Sequence, residues 1–169
     1  MNIYDKTHFA LSLLVDVSRE SQLSYTCQNP ASRDLDMARQ FCTIKMTTSR
    51  GSGHSSAILR LTEEFKSSLI ISPNKMLSDM KSKIFEENLN LKNIVNYNIS
   101  GVTQVTVDSK INYFTTIDFV ENFIRGSGIN IEAVMVDVSN MISKNKIDKL
   151  YSLCLPFMNY SEKFFIFLQ

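Results

Sequence analysis

The chain is 169 residues long, 44% apolar and 21% charged, with 18 Lys+Arg against 17 Asp+Glu. This length suits one ordinary globular domain, and a content of 11 Phe, 6 Tyr, 5 Gly and 3 Pro excludes a collagenous, low-complexity or wholly disordered chain. A net charge of +1 supplies no global electrostatic reason for nucleic acid or an anionic membrane as partner, although it leaves a local basic groove open.

The opening MNIYDKTHFALSLLVDVSRES has an apolar stretch preceded by Asp5 and interrupted by Asp16, with no small-residue cleavage site after it, so it is not read as a leader. No apolar run approaches the roughly 18 residues of a membrane span, and no membrane association is expected. The segment reads as an amphipathic helix capped by Asp5, with Phe9 and Leu13, flanked by Leu14 and Val17, facing inward. A polar connection follows over 22–30. Residues 1–27 are thus expected to form a helix and connection packed on the core, and 28–169 a single domain.

SRDLDMARQF then predicts a short helix capped by Ser32 and carrying Leu35, Met37, Ala38 and Phe41. The β-branched and apolar CTIKMT predicts a buried, central strand over 42–47. After the Gly- and Ser-rich turn TSRGSGHSS, Ile58, Leu59, Leu61 and Phe65 recur at helical spacing, and SLIISPNK predicts a second apolar strand stopped by Pro73. A helix is expected over MLSDMKSKIFEEN, then short strands at NIVNYN, VTQVTVD and INYFTTI, with turns at Gly101 and at 108–110, the latter closing a hairpin. DFVENFIRGSG predicts a helix capped by Asp118, INIEAVMVDVS the most apolar strand, KNKIDKLYSLCLPFM another helix, and KFFIFLQ a closing strand. Strands separated by helices in this rhythm predict a largely parallel sheet covered on both faces. No internal repeat or linker is visible, and no second domain is expected after the last strand.

Cys27, Cys42 and Cys154 are odd in number and lack paired metal spacing, which suits reduced thiols in a cytoplasmic protein. Cys42 and Cys154 read as small buried hydrophobes, and no base marks Cys27 as activated. With only His8 and His54 besides, zinc is not expected. Lys144, Lys146 and Lys149 form a basic edge interrupted by Asp148, which reads as a solvated face in preference to a nucleic-acid track.

Chemistry is expected where an open α/β sheet binds its ligands, beyond the carboxyl ends of the strands. The turn there is Thr48, Ser49, Arg50, Gly51, Ser52, Gly53, His54, Ser55. A phosphate loop of form GxxxxGK[ST] needs a first Gly for the turn, inward backbone N–H groups, a Lys for the outer phosphates and a hydroxyl for magnesium. Aligned on Gly53, this chain has Thr48 for the first Gly, His54 for the Lys and Ser55 for the hydroxyl. Gly51, Ser52 and Gly53 can still turn amides toward an anion at the head of the next helix. Imidazole is shorter than the lysine side chain and holds no fixed charge at neutral pH. Arg50 either supplies the cation that His54 does not, or faces solvent. In isolation these residues suit a structural turn better than a phosphate site; their place between a strand and a helix reverses that preference. Arg50, Gly51, Ser52, Gly53, His54, Ser55 and Ser56 are therefore the candidate phosphate-binding residues.

With these landmarks in order, the chain resembles the first half of the ATPase core shared by superfamily 2 helicases and bacteriophage terminase large subunits. TSRGSGHSSAILRL resembles Walker A, SLIISPNKMLSDMK the next strand and turn, NYFTTIDFVENFIRGSG the strand and helix before Walker B, AVMVDVSNM Walker B, and KFFIFLQ the strand after it. The resemblance implies a three-layer α/β/α P-loop (RecA-like) domain with a mostly parallel sheet, taking ATP and Mg2+, with Ser55 and Asp137 approaching the metal. The chain departs from the family at Val138, where a base that orients attacking water is usual, and at Ser32, the position of an adenine-reading Gln. The expectation is a degenerate nucleotide-binding domain that binds ATP or another phosphate weakly, with little or no hydrolysis. Two alternatives stay open: a non-catalytic interaction or regulatory protein on a P-loop scaffold, and an ATPase active only when a partner completes the site. A protein partner is expected, and the charge balance leaves nucleic acid open.

Overall fold

A computed structural model describes residues 3–28, 35–47, 53–73, 95–99, 101–137, 142–158 and 162–169. The elements in chain order are α1 (Ile3–Gln28), α2 (Leu35–Phe41), β1 (Thr43–Met46), α3 (His54–Leu61), β2 (Ser67–Ile71), β3 (Val95–Ile99), β4 (Val102–Val107), β5 (Lys110–Thr115), α4 (Val120–Ser127), β6 (Ala133–Val136), α5 (Lys144–Cys154) and β7 (Phe164–Leu168). The expected helix over 76–88 and the Ser32 cap lie outside the described residues.

The described strands form one 7-stranded sheet in the order β1-β7-β6-β2-β5-β4-β3. Neighbours from β1 through β5 are parallel, and β4 and β3 extend that sheet as antiparallel ribbons. The β4–β5 hairpin turns on Asp108 and Ser109, whose φ angles of 47° and 67° are those of a two-residue primed turn. At the β3–β4 turn, Gly101 has φ 79°, and a Cβ there would lie 2.8 Å from the Phe119 ring, so only glycine fits.

Side-chain alternation divides the sheet into two packed faces. Ile44, Ile70, Phe114, Ala133, Met135, Phe164 and Ile166 meet Leu11 and Val15 of α1 and Ala57, Ile58 and Leu61 of α3. On the opposite face Leu69, Ile71, Tyr113, Val134, Val136, Phe165 and Phe167 meet Ala38 of α2, Ile124 of α4 and Leu150 and Tyr151 of α5. Strands β2, β6 and β7 are buried along their whole length, as the unbroken apolar runs of β6 and β7 predict, with Ser67 and Ser68 buried at the start of β2. The result is a three-layer α/β/α sandwich on a mostly parallel sheet.

The structure departs from expectation at α1, α4 and β1. Helix α1 runs on through Gln28, past the point where a polar connection was expected, and buries Thr7, Leu11, Val15, Ser18 and Gln22. Phe9, Leu13, Leu14 and Val17 point outward, at 55%, 50%, 40% and 59% exposure. The inner stripe is chosen by hydrogen bonds that hydropathy does not reveal: Ser18 donates to the Phe41 carbonyl, and the Gln22 amide bonds both the carbonyl and the N–H of Lys163, just before β7. Asp5 lies inside the first turn and pairs with Arg60 at 2.7 Å instead of capping the helix. Likewise Phe119 takes the cap position of α4 while Asp118 reaches Lys146. Finally, β1 is an edge strand among those described, pairing only with β7, with Lys45 exposed and Ile44 buried.

Candidate phosphate and metal site

The site is built where the first parallel strand hands the chain to a helix. Helix α3 begins at His54 behind Gly53, whose φ of 81° and ψ of 31° place it in the left-handed region that glycine enters without strain. Gly53 caps the helix through its carbonyl, which accepts from Ala57 N at 2.8 Å, and supplies no side-chain cap. The head of α3 therefore offers backbone donors and the positive end of its dipole toward the carboxyl edge of the sheet. His54, Ser55 and Ser56 occupy its first turn, each partly buried. Thr48, Arg50, Gly51, Ser52 and Val138 lie outside the described residues.

Asp137 follows β6 directly, its N–H bonded to the Ile71 carbonyl at 2.9 Å, so the ladder with β2 runs one residue beyond the strand. Alternation after Ala133 and Met135 turns its side chain to the face that carries α3. There the Ser55 hydroxyl donates to Asp137 Oδ2 at 2.7 Å, joining two residues 82 positions apart. Asp137 is fully buried. A carboxylate in that position is costly unless hydrogen bonds or a cation compensate its charge. The resemblance implied that Ser55 and Asp137 approach one metal, and the structure brings the two side chains into direct contact.

Among the described residues no three His, Cys, Asp or Glu side chains converge on a common point. The donor set at the site is instead one hydroxyl and one carboxylate. That set suits magnesium, which keeps several waters and takes one or two protein oxygens, better than a cation needing a full protein cage. Sequence reasoning missed Ser72, the residue after β2. Its N–H bonds the Thr115 carbonyl at 3.1 Å, its side chain is buried, and its hydroxyl has no hydrogen-bond partner. The one available signal was a serine between an apolar run and Pro73.

On the basic edge the charges are locally matched. Lys146 pairs with Asp118 and Lys149 with Glu121, both at 2.6 Å, tying α5 to the segment around α4. The hydrogen bond from Lys149 holds the Glu121 carboxyl below its usual range. This edge is thus an ion-paired, solvated face. No described helix is long and apolar enough to cross a membrane.

No family model matches the sequence, and no curated protein matches it. Among solved structures, the large terminase of a thermophilic bacteriophage is similar in one crystal form with TM-score 0.51 and 11% identity, over 79% of this chain and 36% of that one. The same terminase in complex with ADP matches with TM-score 0.45 and 13% identity, over 89% of this chain and 37% of that one. This chain therefore spans little more than a third of the terminase's length. Its fold is the three-layer α/β/α sandwich on a mostly parallel sheet that this phage large terminase also carries.

Proposed function

We propose that this protein is a degenerate P-loop nucleotide-binding domain, which binds ATP or a related phosphate weakly with Mg2+ and hydrolyses it slowly or not at all. The observation that carries the reading is the 2.7 Å hydrogen bond from Ser55 at the head of α3 to the buried Asp137 at the end of β6. On this reading Ser55 offers its hydroxyl oxygen to the metal and Asp137 holds the metal's water shell, while the backbone at the head of α3 takes a phosphate oxygen. Arg50, Gly51, Ser52, Gly53, His54 and Ser56 complete the phosphate side. A bound magnesium would neutralise phosphate charge. The chain's own residues orient the phosphate but supply no base at Val138, which limits attack by water.

Titration of the purified protein with ATP and ADP, with and without magnesium, tests this reading. Saturable binding that tightens with magnesium, and loses that tightening in Asp137→Asn, is expected. Absence of saturable binding overturns it.

A second reading has its own observation. The outward stripe of Phe9, Leu13 and Val17 on α1 presents large apolar side chains to solvent, and β1 stands at the edge of the described sheet. Both features suit contact with another protein. On this reading the scaffold serves as an interaction module, and substitution of the stripe abolishes its biological effect while nucleotide binding is irrelevant to it.

A further inference from the structure

The carboxyl edge of the sheet holds a second oxygen beside Asp137 that the pair with Ser55 does not use. In register, Ile71 lies opposite Val136, and the ladder continues through the bond from Asp137 N to the Ile71 carbonyl. Ser72 is therefore the neighbour of Asp137 across the β2–β6 ladder. Alternation after Ile70, which faces α3, turns Ser72 to the same side as Asp137. Ser72 is 2% exposed and its hydroxyl has no hydrogen-bond partner. Leaving a buried hydroxyl unpaired costs free energy, so such a group in a packed protein asks for a ligand or a water.

We propose that Ser72 is a third oxygen of the site, a positioning residue that holds, by hydrogen bond, a water shared with the magnesium and phosphate bound at Ser55 and Asp137. The inference rests on the nucleotide-binding reading and extends it. The ligand class is a hydrated divalent cation carrying a nucleoside polyphosphate. Magnesium binds few protein oxygens and retains several waters, and those waters need acceptors and donors around them. Ser55 lies in the first turn of α3, Asp137 at the end of β6 and Ser72 at the end of β2, so three oxygen-bearing residues stand at the same edge of the sheet.

Ser68 provides an internal control. It lies on the same strand and the same face, is fully buried, and its hydroxyl also lacks a partner. It sits four residues earlier, about 13 Å toward the opposite edge of the sheet. Any effect common to deleting an unpaired buried hydroxyl must appear at both serines. An effect on the ligand must appear only at Ser72.

The test compares wild type, Ser72→Ala and Ser68→Ala by thermal unfolding without ligand and by binding of ATPγS with magnesium and with EDTA. Both variants are expected to melt about 2–4 °C higher than wild type, because each removes an unpaired buried hydroxyl. Ser72→Ala alone is expected to bind ATPγS about three- to tenfold more weakly in magnesium, with its affinity in EDTA unchanged. This opposition of higher stability and weaker binding is not produced by a merely structural serine. Equal affinity of wild type and Ser72→Ala in magnesium overturns the proposal and leaves the nucleotide reading standing. So does an equal loss in magnesium and EDTA, or an equal loss in Ser68→Ala. No binding by wild type overturns both together.

Discussion

His54 stands at the head of α3, one residue before Ser55, where a phosphate loop carries its lysine. The imidazole is partly buried and shorter than a lysine side chain. His54→Lys is expected to tighten binding of ATP with magnesium without producing brisk turnover. An ammonium at the outer phosphates stabilises the bound ground state along with any transition state, and uniform stabilisation leaves the chemical step unchanged. Adding Val138→Glu supplies a group that orients water, worth about 10²- to 10⁴-fold in rate when well placed. Single-turnover hydrolysis by wild type, each single variant and the pair checks this. Rapid turnover by wild type contradicts the degenerate reading.

Among the elements, α1 most clearly separates apolar composition from actual packing. Leu11 and Val15 are fully buried against α3 and the sheet, whereas Leu13 and Val17 are half exposed or more. Arg19 fastens the same helix from its polar side, bonding Glu162 at 3.1 Å and lying 5.5 Å from the Phe164 ring centre. Leu11→Ala is expected to cost about 2–5 kcal/mol, the range for a core leucine whose neighbours cannot collapse into the space. Leu13→Ser, on the outward stripe, is expected to stay within about 0.5 kcal/mol of wild type. Urea unfolding of the two variants gives the comparison. A larger loss from Leu13 than from Leu11 would restore the face expected from hydropathy.

Across the whole molecule, the two described thiols report how dry the α2–α5 layer is. Burial pushes the Cys42 thiol up to about 11, partly offset by Lys163, and the Cys154 thiol up to about 12, both from an ordinary value near 9.0. Each thiol holds its proton more tightly folded than unfolded. The stability this contributes is therefore complete below about pH 9 and is lost as pH rises toward the folded values, by about 1.4 kcal/mol per pH unit for each thiol. Tyr151, also pushed up by burial, adds a loss of the same sign at higher pH. Unfolding free energy measured from about pH 8 to about pH 10.5 should fall steeply for wild type and more gently for Cys42→Ala/Cys154→Ala. Equal slopes would show that these thiols ionise in the folded protein as they do in water.

The order of elements was legible in the chain alone, because that order is written in local periodicity. The apolar runs at 69–71, 133–136 and 164–168 become the cores of the buried parallel strands, and the spacing of Ile58, Leu59 and Leu61 becomes the buried side of α3. The resemblance to the helicase and terminase ATPase core implied a shared site for Ser55 and Asp137, and the structure joins their side chains by a hydrogen bond. Which stripe of α1 turns inward was settled by packing between distant segments. That choice depends on Phe41 and Lys163, whose backbone groups receive Ser18 and Gln22 from far along the chain. The place of β1 at the edge of the described sheet is likewise a property of the folded chain, because strand order arises from crossovers that no local pattern encodes. So is the position of Ser72: a serine beside a proline reads as the end of a strand, and only the pairing of β2 with β6 sets that residue across from Asp137.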